Sequence, residues 1–102
     1  MEFIFSYGTL QDTHVQEYIF GRILNGKPDT ALGFKKIENA VYGRYPLVIN
    51  TNDPEHKVKG MAYEVSDTDL IKADIYETNA YKREKFLLES GDEAWIYIKN
   101  SN

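Results

Sequence analysis

The sequence predicts an α+β domain in which a small curved sheet or barrel, with about six or seven short strands, carries two helices on its outside. Two segments with helical spacing and capping-box signals stand among short apolar runs separated by Gly, Asn, Asp and Pro. The 102 residues suffice for one hydrophobic core and not for two, so residues 1–102 are expected to form a single domain. Helices outside a curved sheet would also hide most strand edges.

Glu2 to Ser6 is the first expected strand. Phe3, Ile4 and Phe5 follow one another without a polar interruption, which suggests burial on both faces. Beyond the stretch "YGTL", Val15, Tyr18, Ile19, Arg22 and Ile23 recur at helical spacing. Thr13 with Gln16 offers a capping box and Gly26 a stop, so a helix is expected from about Asp12 to Leu24.

Thr30 to Ile49 reads as short strands broken at Gly33, at Asn39 and at "GRYP", and Asn50 to His56 has the composition of a turn. In "KVKGMAYEV", Val58, Met61, Tyr63 and Val65 lie close to alternating spacing, with Gly60 as the site of an expected bulge. Ser66 and Asp69 then have capping-box spacing, and a second helix is expected from about Asp67 to Tyr76. "REKFLLES", the turn Ser90-Gly91-Asp92 and "EAWIYIK" make a closing β-hairpin.

Composition narrows the function classes. A formal charge of -4, with acidic and basic residues interspersed, disfavours a nucleic-acid partner, which would call for a basic stripe. The absence of cysteine excludes disulfides, thiol catalysis and thiolate metal sites. The first residues, "MEFIFSYGTL", lack the basic start and long apolar core of a signal peptide, and no run approaches the roughly 20 apolar residues of a membrane span. The expectation is a cytosolic protein with no membrane partner. His14 and His56 are far apart with no carboxylate at ligand spacing, so no metal is expected. Serines 6, 66, 90 and 101 lack a nucleophile-elbow context. Aromatic residues make up 14% of the chain, with eight tyrosines to one tryptophan. Such a supply suits a polar small-molecule pocket and equally a tyrosine-rich core.

Two places carry chemical interest. Leu70, Ala73, Asp74 and Glu77 share one face of the second expected helix, which sets a carboxylate in register with the apolar stripe. Desolvation, the negative end of the helix dipole and nearby Asp74 would all raise the Glu77 pKa toward the range of a general acid/base. The alternatives are that the helix ends earlier, or that Glu77 pairs at the surface with Lys82 or Arg83. In "YGTL", Gly8 allows unusual backbone angles and close ligand approach, and the following N–H groups could bind a carboxylate or oxyanion. The alternative there is a tight strand-to-helix turn with Tyr7 in the core. Arg44 and Arg83 stand in polar, turn-like contexts, where an arginine either clamps an anion or lies on the surface.

Four stretches, "FSYGTL", "GRYP" (Gly43 to Pro46), "VKGMAYEV" (Val58 to Val65) and "DIYETNAYKR" (Asp74 to Arg83), occur in an order that resembles the γ-glutamylcyclotransferase-like family, which includes γ-glutamylamine cyclotransferases and plant AIG2-like proteins. The resemblance spans nearly the whole chain. It implies a small, mixed and mostly antiparallel β-barrel with two flanking helices and a cavity at one end, working without a cofactor. Tyr7, Gly8, Thr9 and Leu10 would line that cavity and hold a γ-glutamyl or 5-oxoproline moiety, Glu77 would be the catalytic general acid/base, and Tyr81 and Arg83 would support the substrate site. Two departures are Ala73, where leucine is common, and the lack of a glycine after Glu77. The implied activity is cyclisation of a γ-glutamyl amine or amino acid to 5-oxoproline. A non-catalytic small-acid binding or protein-interaction module on the same fold is the alternative. Asn50 to His56 and Thr78 to Lys82 are the loops expected to cover the mouth of the pocket. Neither the leaving group nor the oligomeric state is legible.

Overall fold

The computed structural model describes residues 1–100. In chain order the elements are β1 (Glu2–Ser6), a one-turn 3-10 helix (Thr9–Gln11), α1 (Thr13–Phe20), β2 (Gly26–Leu32), β3 (Phe34–Val41), β4 (Tyr45–Asn50), β5 (Lys57–Val65), α2 (Asp67–Glu77), a second 3-10 turn (Thr78–Ala80), β6 (Tyr81–Leu87) and β7 (Glu93–Lys99). Among the described residues no helix is long and apolar enough to cross a membrane.

The uninterrupted apolar run of β1 puts that strand in the middle of the main sheet, whose order is β2-β5-β1-β7-β6. β1 pairs antiparallel with β5, Ile4 opposite Tyr63, and parallel with β7, Ile4 opposite Trp95; the remaining pairs are antiparallel. Alternation along the strands then builds two cores. On one face Phe5, Val58, Ala62, Ala94 and Ile96 meet Phe34 and Val48 of the β3–β4 hairpin. On the other, Ile4, Tyr63, Val65 and Tyr97 meet Phe20, Leu70 and Ala73 of the helices. Burying each large apolar side chain contributes roughly 1.5–3 kcal/mol relative to leaving it in water.

The fold is the expected small α+β arrangement, mixed and mostly antiparallel, but the sheet is curled and not closed into a barrel. The β3–β4 hairpin forms its own two-stranded sheet, laid over one face. The two edges approach at one end only, where the Glu89 N–H donates to the Thr30 carbonyl at 2.9 Å. There the buried Asp29 carboxylate accepts from both the N–H and the hydroxyl of Ser90. That backbone bond, the Asp29 carboxylate and the Lys27–Asp92 ion pair staple the edges without a ladder.

Helix α1 is shorter than its spacing suggests. Asp12, not Thr13, is the cap, its carboxylate accepting the His14 N–H at 2.8 Å. The helix ends at Gly21, with φ of 76°, and Gly26 instead begins β2. Gln16 plays no part in a capping box. Its side chain is buried, donating to the Leu10 carbonyl at 2.8 Å and accepting the Leu24 N–H at 2.9 Å, so it fastens the segments on both sides of α1.

Helix α2 starts as expected, with both halves of the Ser66–Asp69 capping box present. Asp69 also takes two bonds from Arg22, at 3.1 and 2.7 Å, which ties the segment after α1 to α2 and holds its carboxyl down at about 2. The expected bulge at Gly60 is absent: its pairing with Asp29 continues an unbroken register. A Cβ there would strike the Ser6 carbonyl and come within 2.7 Å of the Phe5 ring. The missing side chain makes room for the aromatic ring at the centre of the sheet. Asn39 is a break within β3, with φ of 54° and a register shift between Ile37 and Val41.

Candidate functional site

The two layers leave a cavity of about 430 Å³ at one end of the sheet. One wall is the turn after β1, contributing Tyr7, Gly8, Thr9 and Leu10. A second is the β3–β4 hairpin, with Tyr42, Arg44, Tyr45 and Pro46. The end of α2 and the turn beyond it supply Tyr76, Glu77, Thr78 and Tyr81, and Tyr97 of β7 completes the lining.

Phenol hydroxyls brace these walls against one another. Tyr7 donates to the Tyr97 carbonyl, Tyr76 to the Thr9 hydroxyl at 3.1 Å, and Tyr81 to the Pro46 carbonyl at 2.8 Å. Each bond joins elements distant in sequence, so each hydroxyl is a tie across the site as well as a surface within it. The Tyr7 ring is buried, and burial drives its phenol upward. The Tyr81 phenol is pushed to about 12 by burial first and by the Glu77 charge second.

The loop after β1 turns without any positive φ. Gly8 has φ of −144° and ψ of −140°, angles that belong to neither the helical nor the extended region, as its expected backbone freedom allows. A Cβ on it would stand 3.3 Å from Pro46 Cγ, and its bareness lets the loop lie close to the hairpin wall. The Gly8 N–H leans on the Ser6 hydroxyl at 3.3 Å. The N–H groups of Thr9 and Leu10 precede the first bond of the 3-10 turn, Gln11 N–H to Gly8 carbonyl at 3.1 Å. They are therefore free of that turn's own ladder.

Glu77 is the last residue of α2, and the lining holds no other carboxyl. Its pKa is pushed up to about 7, and burial alone is the cause. The expected help from Asp74 does not arise. Arg83 grips Asp74 with two bonds, at 2.8 and 2.9 Å, and Tyr97 donates to it at 2.7 Å, so that carboxyl lies below its ordinary value, with the Arg83 bonds the main cause. Nor does Glu77 pair at the surface, because Lys82 bridges to Glu84 and Arg83 to Asp74. The helix does not end earlier, and both candidate surface partners are taken up by other carboxylates.

The next residue, Thr78, has φ of 62° and ψ of −165°, a conformation ordinarily reserved for glycine. Its hydroxyl accepts the Ala80 N–H at 3.3 Å. This is the position where the sequence lacks the glycine that the resemblance implies, and the backbone keeps the glycine-like turn.

Of the residues singled out from sequence, the cavity brings together Tyr7, Gly8, Thr9, Leu10, Glu77 and Tyr81, while Arg83 stands outside the lining, bonded to Asp74. Asn50 to His56, expected at the mouth, is not part of it; the hairpin turn holds that place together with Thr78 and Ala80. Tyr42, Tyr45, Tyr76 and Tyr97 line the cavity without having stood out in the sequence. The surplus of tyrosine over tryptophan was the available signal, and "GRYP" marked the right hairpin without showing which way it faces. Among the described residues no cluster of His, Asp and Glu has the make-up of a metal site.

Three solved structures share this architecture. Two are solution structures of Arabidopsis thaliana proteins, each with a TM-score of 0.82. At 23% identity the first aligns with 97% of this chain, which spans 62% of its length; the second, at 21%, aligns with 99% of this chain and 71% of its own. The third is named a gamma-glutamyl cyclotransferase; at 15% identity and a TM-score of 0.70 it covers 96% of this chain, and 66% of its own length is matched. These likenesses establish the fold. No curated protein matches the sequence. The family model described as "Gamma-glutamyl cyclotransferase, AIG2-like" matches residues 4–102, so this chain belongs to that family.

Proposed function

We propose that this protein is a γ-glutamyl cyclotransferase, converting a γ-glutamyl amine or amino acid into 5-oxoproline and the free amine in the cytosol. One observation carries the reading: a single carboxyl, raised to about 7 by burial, lines the same cavity as the backbone N–H groups of the YGTL loop.

The chemistry is intramolecular. The α-amine nitrogen attacks the side-chain amide carbonyl of its own glutamyl group, the new C–N bond closes a five-membered ring, and the bond to the leaving nitrogen breaks. One proton passes from the attacking nitrogen to the departing one, so atoms balance without water or a second reactant. The protein's first contribution is to hold the glutamyl chain folded for attack, which can supply several kcal/mol. The walls braced by Tyr7, Tyr76 and Tyr81 suit that task. Glu77 is the proton carrier in this scheme, taking a proton from the attacking nitrogen and giving it to the leaving one. The N–H groups of Thr9 and Leu10 are the donors for the oxyanion of the tetrahedral intermediate, beside Gly8, whose own N–H is held by the Ser6 hydroxyl. Arg83 supports the site by holding Asp74, which in turn accepts from Tyr97 of the lining.

Release of 5-oxoproline from a panel of γ-glutamyl compounds, measured for wild type and Glu77→Gln, tests the reading. Turnover by wild type with a loss of about 100-fold or more in the variant is the expected result. Equal turnover would remove Glu77 from the chemistry. Inactivity across the panel, with a small acid still raising Tm, would turn the reading to a binding module.

A further inference from the structure

The chain has three arginines, and two of them hold a carboxylate in a two-bonded fork: Arg22 on Asp69 and Arg83 on Asp74. The third, Arg44, makes no ion pair and no side-chain hydrogen bond among the described residues, and it lines the cavity. Its guanidinium carbon lies 5.5 Å from the centroid of the Tyr45 ring, itself part of the lining. Such stacking steadies the guanidinium while leaving its five N–H donors open.

The backbone beneath Arg44 is fixed too. Tyr42 and Gly43 have φ of 54° and 66°, and the Arg44 N–H donates to the Val41 carbonyl at 3.0 Å. Val41 pairs with Tyr45, so Tyr42, Gly43 and Arg44 form a three-residue hairpin loop, and the Arg44 N–H bond closes its turn. Arg44 is thus a preset donor fork at the rim. The other charged group in the lining is Glu77, and no ion pair joins the two among the described residues.

A cavity with its proton carrier on α2 and a bare cation on the opposite hairpin has a second recognition point, distinct from the reacting centre. Resting on the cyclotransferase reading above, we propose that Arg44 receives a carboxylate carried by the departing half of the substrate, making the preferred leaving group an α-amino acid and not a plain amine. The fork is matched to a planar carboxylate.

Two substrates differing by that carboxylate alone, γ-glutamyl-alanine and γ-glutamyl-ethylamide, test this with wild type, Arg44→Gln and Arg44→Lys, by kcat/KM for 5-oxoproline release. Wild type should prefer γ-glutamyl-alanine by about tenfold. In Arg44→Gln the ratio should fall to about one, through a higher KM for γ-glutamyl-alanine, with Arg44→Lys in between because a point charge replaces the fork. Wild type turning over both substrates without preference overturns the role of Arg44 and leaves the cyclotransferase reading standing. So does an equal loss on both in Arg44→Gln, the result expected if Arg44 held the glutamyl α-carboxylate. Failure of wild type on both substrates overturns the two together.

Discussion

Asp74 and Glu77 lie three residues apart on one face of α2, and their carboxyls are driven in opposite directions: Arg83 and Tyr97 hold Asp74 ionised, while burial without a partner raises Glu77 to about 7. Two acids so separated have separate tasks, the first structural and the second available for proton transfer. If Glu77 takes the proton from the attacking nitrogen it must be ionised in the free enzyme. The kcat/KM for 5-oxoproline release should then fall about tenfold per unit as pH drops below about 7. A profile over pH 5 to 9 that stays level through this range would exclude Glu77 as the base.

The same burial affects stability. The folded pKa of Glu77 lies above its ordinary 4.5, so the folded state binds that proton more tightly. Its favourable contribution is complete below about pH 4.5 and is lost as pH rises to about 7, which leaves a cost of about 3 kcal/mol above that. Glu77→Gln should match wild type near pH 4 and exceed it by roughly 1–3 kcal/mol at pH 8 in urea denaturation. A constant difference between the two across that range would mean that Glu77 ionises without penalty.

Arg83 is predicted to act on the site through Asp74. In Arg83→Met the carboxylate keeps only Tyr97, and the stacking of the guanidinium on Trp95, at 4.3 Å, is lost. The cost should be about 1–2 kcal/mol, modest because Asp74 is partly exposed. The uncompensated negative charge should also move the acidic limb of the pH–rate profile to higher pH. Lower Tm with an unmoved limb would assign Arg83 to the fold alone.

Gly60→Ala and Gly8→Ala should separate fold from site. The first drives a methyl group into the Ser6 carbonyl and the Phe5 ring, where the sheet has no room to yield, and should cost more than about 3 kcal/mol. The second meets only Pro46 Cγ at 3.3 Å, on the cavity wall. It should keep most of the stability and raise KM. Urea melts and initial rates distinguish the two, and equal destabilisation would mean the YGTL loop cannot shift at all.

Thr78→Gly is expected to stabilise. A β-branched residue with φ of 62° stores roughly 1–3 kcal/mol of backbone strain, and only the weak bond to the Ala80 N–H is given up. A rise in Tm of about 4–8 °C corresponds to 1 kcal/mol for a domain this size. A fall would mean that the hydroxyl bond outweighs the strain.

Local signals carried much of this fold. The apolar run Phe3-Ile4-Phe5, the Ser66–Asp69 capping box and the closing hairpin each declare themselves within a few residues, and β1, α2 and the β6–β7 pair form there. Long-range pairing is a different matter. Nothing near Phe5 or Ile96 announces that their strands lie parallel, and nothing in Gln16 tells a helix-capping side chain from one buried between Leu10 and Leu24. Gly60 suggested a bulge because a glycine in a strand has two physical explanations, and only the Phe5 ring packed beside it decides between them. The inward register of Glu77 followed from helical periodicity, but its freedom from Arg83 depends on Asp74, a competition between neighbours that spacing does not rank. The hairpin wall of Tyr42, Arg44 and Tyr45 was hidden for the same reason: which way β3–β4 folds over the sheet is decided by Phe34 and Val48 finding the far-off Phe5 and Ile96.

The lining of the cavity runs from Phe5 to Tyr97, and its ties join residues as far apart as Tyr7 and Tyr97. The cavity therefore comes into being only when the first and last strands have met, late in any folding route that begins with local hairpins and helices. A ligand held there is a clamp on global unfolding and not on a single loop. Occupancy should slow amide exchange in β1 and β7 together, since opening either one dismantles the other's half of the chamber.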